Sequence, residues 1–265
     1  MPSTDYKKDA RLRRVDVIDV PITAVNIDDC LAFLEEHITD VRGEYVCVSN
    51  AHTCVMAHDD PSYWSVQAGS LMALPDGKPL SIIGKREVES MGRVTGPDLM
   101  RKLFAVSAEK GWRHFFYGSE QETLDELSSA LSSEYPGLEI VGMEPSVFRP
   151  LTAQEKDELA GRIADSGADF VWIGLGAPRQ EVLCSELHGK TPSLLIGVGG
   201  AFKVLAGVIP EAPSWMQALS LEWLYRLLQE PQRLFKRYLV TNWKFLLYQF
   251  TGTKRMKGTD REQKF

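Results

Sequence analysis

The sequence predicts an α/β fold: a Rossmann-like, mostly parallel sheet flanked by helices, with a helical C-terminal appendage. Two observations carry this. Between residues 26 and 212, short β-branched or aromatic runs alternate with amphipathic stretches, the pattern of a mostly parallel sheet covered by helices. After Pro213 the character changes to a Trp- and Leu-rich helical run over 215–250, interrupted at Pro231. The chain therefore divides into an α/β body, residues 1–212, and a helical appendage, residues 213–265.

In chain order the expected strands are Tyr45 to Ser49, Leu71 to Leu74, Arg113 to Tyr117, Glu139 to Gly142, Phe170 to Gly174 and Ser193 to Val198. Ser119 with Glu122, and Thr152 with Glu155, have capping-box spacing, and Pro178 suits the first turn of a helix. No internal repeat or low-complexity segment interrupts this order.

Composition narrows the class. With 265 residues, 44% of them hydrophobic, the chain can bury a substantial core, so a disordered or fibrous protein is excluded. The four cysteines, Cys30, Cys47, Cys54 and Cys184, form no Cys-x-x-Cys pair, which suggests neither a zinc site nor a disulfide framework and suits reducing cytosol. Residues 1–20 are charged and lack an apolar h-region, so no secretory signal is expected there. No stretch supplies the roughly 20 apolar residues of a spanning helix.

The net charge of −6 hides a split. From Pro213 onward ten Lys or Arg face four Asp or Glu, whereas residues 1–212 carry 20 against 32. A basic tail on an acidic body suggests contact with an anionic surface, membrane or nucleic acid, or simply a solvated helical face. No nucleic-acid-binding motif accompanies it.

In open parallel sheets ligands bind beyond the carboxyl ends of the strands, where helix N-termini present free N–H groups to anions. Those loops read Ser49-Asn50-Ala51-His52, Pro75-Asp76-Gly77, Gly118-Ser119, Gly174 to Glu181 and Gly197 to Phe202. Neither glycine-rich loop completes Gly-x-Gly-x-x-Gly, since Arg179 and Phe202 hold the third position, and there is no P-loop. A nicotinamide cofactor and P-loop chemistry are disfavoured, and no cofactor is expected.

Asp76, at the rim after an apolar run, can accept the proton of an attacking hydroxyl, or can be a turn residue satisfying local N–H groups. Arg93 and Arg179 can pair with phosphates or remain surface arginines. His52 and His58 lack partners at metal-ligand spacing, and no Asp-x-Asp triplet occurs, so no metal site is expected.

Taken together, Ser49-Asn50-Ala51-His52, Leu74-Pro75-Asp76-Gly77, Gly92 to Leu99, Phe116-Tyr117-Gly118, Gly174 to Glu181 and Gly197 to Phe202 resemble the WecG/TagA/CpsF glycosyltransferase family. The likeness continues through Ala212-Pro213-Ser214-Trp215, Leu221 to Arg226 and Glu230 to Leu234, spanning roughly Val15 to Tyr248. It implies a metal-independent inverting transferase that takes a UDP-sugar, of N-acetylmannosamine, glucose or uronic acid type. The implied acceptor is a polyprenyl-diphosphate-linked saccharide in cell-surface polysaccharide synthesis.

Carried over by motif, Asp76 resembles the general base and Arg93 and Gln180 match positions lining the active site. Ser49 and Asn50 stand where the family's Thr-x-Asn loop faces the sugar, and Gly118, Gly197, Gly199, Gly200 and Phe202 belong to loops on the substrate side. The tail resembles the family's appendage, which implies docking on the inner face of the cytoplasmic membrane, with Arg226, Arg233 and Arg237 reaching for phosphates. Trp215, Leu219, Trp223, Leu227 and Leu228 have the near-helical spacing of an interfacial helix. Ser49 replaces the usual Thr, Lys203 replaces a frequent Asp, and Lys78-Pro79-Leu80 replaces a glycine-containing turn. The resemblance leaves homo-oligomerisation open, and a non-catalytic UDP-sugar-binding subunit of an assembly complex is the alternative reading.

Overall fold

Six strands form one all-parallel sheet in the computed structural model, which describes residues 5–213, 215–216, 221–229 and 231–252. They are β3 (Tyr45–Ser49), β4 (Met72–Pro75), β5 (Arg113–Gly118), β6 (Glu139–Glu144), β7 (Phe170–Gly174) and β8 (Leu194–Gly197), in the order β4-β3-β8-β7-β5-β6. Each expected strand is present, two with the expected bounds and the others with an end displaced by one or two residues. A preceding antiparallel hairpin, β1 (Arg14–Val17) and β2 (Val20–Thr23), was not expected from the sequence.

Helices cover both faces, so alternate residues of each central strand enter different cores. One core takes Val46, Val48, Phe170, Trp172, Leu194 and Ile196, and it is closed by α1 (Ile27–His37), α5 (Gly96–Lys110), α6 (Gln121–Glu134) and α9 (Ala201–Leu205). The other takes Tyr45, Cys47, Val171, Ile173 and Leu195 beneath α7 (Ala153–Ser166) and α8 (Arg179–Leu187). A third cluster joins the hairpin to α2 (Ala51–Asp59), α3 (Pro61–Gly69), α4 (Lys78–Gly84) and Ala73 of β4. All four cysteines are buried and free.

The hairpin shields the sheet's β4 edge. Thr23 Oγ1 accepts the Ala73 N–H at 2.9 Å, and Arg14 donates to Ala68 O at 2.8 Å and to Ser70 O at the end of α3. An edge N–H that would otherwise invite another strand is thereby satisfied. The two-residue turn Ile18-Asp19 has both residues in the left-handed region, the primed geometry that matches strand twist.

Local chemistry explains most helix starts. Thr152 and Glu155 close the expected capping box, and α8 begins one residue after Pro178. The box expected at Ser119 does not form: α6 starts at Gln121 after Glu120, and Ser119 sits at φ 61° because its N–H is held by Gly174 O at 3.2 Å. Tertiary contact overrides the local motif there.

Beyond residue 213 lie α10 (Glu222–Gln229) and α11 (Pro231–Thr251), with the break at Pro231 as expected. Helix α11 runs along α2. His52 Nδ1 lies 3.2 Å from Thr241 Oγ1, Asp59 accepts from Lys244 Nζ at 2.6 Å and Tyr248 OH at 2.7 Å, and His58 stacks on Tyr248. Among the described residues no helix is long and apolar enough to cross a membrane.

One buried histidine shows how the core treats ionisable groups. Trp172 Nε1 donates to His114 Nδ1 at 3.1 Å, so the ring proton is on Nε2, which donates to Ser107 Oγ at 2.9 Å, and Ser107 donates to Leu103 O at 2.6 Å. Burial depresses the imidazole from 6.5 to about 3. Below pH 6.5 the unfolded chain binds the proton that the folded chain refuses, so this contribution is intact above 6.5 and lost as pH falls toward 3. Urea titrations of wild type and His114→Phe from pH 7 to 4.5 should show a shallower acid loss in the variant, by up to about 1.4 kcal/mol per pH unit. At pH 7 the variant should be weaker by about 1 to 3 kcal/mol, because the Trp172 N–H loses its acceptor. Parallel curves would remove His114 from the acid response.

Candidate active site

Strand register brings the predicted loops into one row. Ser49 pairs with Pro75, Gly197 pairs with both Cys47 and Ile173, and Gly174 pairs with Gly118. The carboxyl ends of β4, β3, β8, β7 and β5 therefore finish at nearly one level, with β8 central.

At the β4 side the loops are laced by backbone bonds. Asp76 N donates to Ser49 O at 2.8 Å, and Val94 N donates to Pro75 O at 2.9 Å, which brings the Arg93 segment beside Asp76. An added Cβ on Gly77 would lie 3.6 Å from Asn50 Cβ, so the loops after β3 and β4 touch. Arg93 Nη2 stands 3.9 Å from Asp98 Oδ2 in the first turn of α5. Asp76 and Arg93 are both partly exposed.

Ser49 and Asn50 serve the fold. Ser49 is fully buried and its hydroxyl donates to Gln67 Oε1 at 2.6 Å. Asn50 Oδ1 accepts from the N–H groups of His52 and Thr53, forming the N-cap of α2 in a capping box with Thr53. Half-buried Asn50 is thus locked by its cap at the rim.

The glycine loops are fixed by close approach. Gly118 has φ +129°, and an added Cβ would stand 2.6 Å from Gly174 O. On Gly174 an added Cβ would strike the Phe202 ring at 2.7 Å. Phe202 itself is 1% exposed and meets Phe116 edge-on at 5.6 Å, so its side chain belongs to the core beneath the loop, whereas Gly200 precedes α9 at the surface. Arg179 donates to Leu175 O at 3.2 Å.

Gln180 is buried between two of these loops. Its Oε1 accepts the Gly176 N–H at 2.9 Å, while Gly197 would bring an added Cβ within 3.1 Å of Gln180 Cγ. Its Nε2 donates to Glu181 Oε1 at 2.8 Å. From the other side Gln67 Nε2 donates to Tyr63 OH at 2.9 Å, and that hydroxyl faces the Glu181 carboxylate. A buried polar chain thus runs from Ser49 through Gln67, Tyr63, Glu181 and Gln180 to Gly176.

Sequence reasoning missed Gln67, Tyr63 and Glu181 as parts of this assembly. For Glu181 a signal exists: Gln180, Leu183, Cys184 and Leu187 recur at helical spacing, so their face of α8 is the buried one and includes an acid. In the tail, Arg226 lies in α10 and Arg233 and Arg237 in α11, but their side chains, like those of Trp223, lie outside the described atoms, and Leu219 lies outside the described residues. Leu228 and Trp215 are exposed.

A doubly covered parallel sheet with polar and glycine-containing loops at its carboxyl edge is the architecture in which α/β proteins place their ligand sites. Comparison with known proteins makes this specific. Residues 15–258 match the model of the glycosyl transferase WecG/TagA/CpsF family, and the chain belongs to that family. A relative from Bacillus subtilis (strain 168), named N-acetylglucosaminyldiphosphoundecaprenol N-acetyl-beta-D-mannosaminyltransferase, is 32% identical over 83% of this chain and 85% of its own length. A protein of the same name from Bacillus spizizenii is 28% identical over 84% of each chain. The protein is a hexosyltransferase.

Gly118 is constrained both by the space beside it and by its backbone conformation. Gly111 also has positive φ, +65°, but an added Cβ there meets open space. Gly111→Ala should cost about 1 kcal/mol and Gly118→Ala about 2 to 4 kcal/mol, because Gly118 at φ +129° lies outside the left-handed well that alanine can enter and an added methyl there also clashes with backbone. Denaturant melts of both variants test this, and equal losses would show that the Gly118 loop yields freely.

Proposed function

We propose that the protein transfers an N-acetylmannosamine-type sugar from a UDP-sugar to a polyprenyl-diphosphate-linked saccharide in cell-wall polysaccharide synthesis, with inversion and without a resident metal. The observation that carries this reading is the juxtaposition of the Asp76 and Arg93 loops through the Asp76–Ser49 and Val94–Pro75 bonds, beside turns that admit backbone to a diphosphate. It is supported by the likeness to relatives named as mannosaminyltransferases acting on an N-acetylglucosaminyl-diphospho-lipid.

In this mechanism Asp76 takes the proton of the acceptor hydroxyl as its oxygen attacks the anomeric carbon. The bond to the diphosphate breaks on the opposite side, which inverts the centre, and UDP leaves toward Arg93 and the helix N-termini. Asn50 and Gln180 would orient the sugar, and Gly118, Gly197, Gly199 and Gly200 would let backbone approach the nucleotide. Metal independence rests on the absence of an Asp-x-Asp triplet in the sequence.

We assign the segment from Pro213 to membrane docking. Leu239, Trp243, Leu246 and Phe250 form an exposed apolar stripe on α11, and the segment carries ten basic residues. Such a helix suits the interface of a bilayer rich in anionic lipid, which supports a site working at the inner face of the cytoplasmic membrane, near a lipid-linked acceptor.

Two expected outcomes test the reading. UDP release from UDP-N-acetylmannosamine should depend on the lipid-linked acceptor, survive EDTA, and fall by about 10²- to 10⁴-fold in Asp76→Asn while UDP binding persists. Absence of release across UDP-sugars would point to the non-catalytic binding subunit, and an unaltered rate in the variant to another base. Removal of residues 213–265 should abolish sedimentation with phosphatidylglycerol-containing liposomes, and an unchanged bound fraction would dispose of the docking role.

A further inference from the structure

We propose that Glu181 is a positioning residue of the transfer site, holding the Gln180 amide in the one orientation that locks the loop after β7 against the turn after β8. The inference rests on the transferase reading above, but its first support is geometric. Gly176 N–H can be met only by the amide oxygen, and the ionised Glu181 carboxylate only by the amide nitrogen, at 2.9 and 2.8 Å. Reversing the amide would set donor against donor and acceptor against acceptor. With Gly197 and Gly199 both within contact range of the same side chain, Gln180 acts as a spacer between two loops, and Glu181 decides which way its polar end faces.

The second support is cost. Glu181 is 1% exposed, its Oε2 has no hydrogen-bond partner, and among the described residues no cation forms an ion pair with it. The titratable groups that act with it are Tyr63 of α3, Cys47 of β3 and Cys184 of α8, all of which burial holds in the neutral form. Burial also lifts the Glu181 carboxyl to about 7. Neighbouring positions on this face of α8 are Leu183, Cys184 and Leu187, so an apolar side chain would suit the fold better. An acid kept at this expense has its return in the site, where its contact lies.

The test uses the full-length chain with Glu181→Leu and Glu181→Gln. Leucine fills the space without accepting the Gln180 N–H, whereas glutamine keeps an acceptor oxygen. In Glu181→Leu the melting temperature should hold or rise, while hydrogen-exchange protection of the Gly176 amide and acceptor-dependent UDP release each fall by about tenfold or more, the worth of one well-placed hydrogen bond. Glu181→Gln should stay within about threefold of wild type in both. A marked fall in melting temperature in Glu181→Leu would mean a merely structural acid, and failure of Glu181→Gln to rescue would overturn the positioning role, as would unchanged exchange at Gly176. Absence of acceptor-dependent release in the wild type would count against the transferase reading alone, and the exchange measurement would still decide what Glu181 holds.

Discussion

Strand β8 is the last in chain order yet lies third in the sheet, between β3 and β7, and the site depends on that insertion. Until β8 pairs, β4-β3 and β7-β5-β6 are separate ribbons. Its residues also feed both cores, Leu194 and Ile196 to one side and Leu195 to the other, so docking the strand buries apolar surface on two faces at once. Gly197 then pairs with Cys47 on one neighbour and Ile173 on the other, which sets the Asp76 loop and the Gly174 loop on either side of a common turn. The glycines are the consequence: contacts this close leave no room for a Cβ at Gly118 or Gly174 and little at Gly197.

Two buried ionisable side chains show where the molecule favours stability and where it does not. His114 lies near the amino end of β5, with both ring nitrogens engaged and the ring neutral, so its burial costs little. Glu181 lies under the carboxyl edge with one oxygen engaged and the other orphaned. The physics of desolvation is the same in both. Only the hydrogen-bond inventory differs, and the incomplete inventory is the one beside the loops, where local rules are most often broken for function.

The strands were legible because each is a short β-branched or aromatic run bounded by small or polar residues, and buried parallel strands need little else. The hairpin was not, since its turn is Ile18-Asp19, without the Asn or Gly that announces left-handed conformations. Ser119 misled for a physical reason: its spacing to Glu122 fits a cap, but the Gly118–Gly174 approach fixes its backbone first. Asp76 and Gln180 were readable as motif positions after strands, and Arg93 as a motif position ahead of α5. The inward turn of Ser49 toward Gln67 was not, because the two meet only through the packing of α3 on the sheet. Glu181 stood in a quoted motif and passed unnoticed because charge suggests surface.

The tail carries the last step. Helix α11 turns Thr241, Phe245 and Tyr248 toward α2 and the body, at the spacing of one helical face, and turns Leu239, Trp243, Leu246 and Phe250 outward at the same spacing. A helix apolar on two faces is suited to lie between two partners, and here one partner is α2. That helix begins at Asn50, on the rim of the site, and is tied to α11 at His52 near its start and at Asp59 at its end. The rim residue and the outward stripe are therefore connected by one short rigid element held at both ends. Whatever surface covers the stripe has its orientation to the crevice set by that connection.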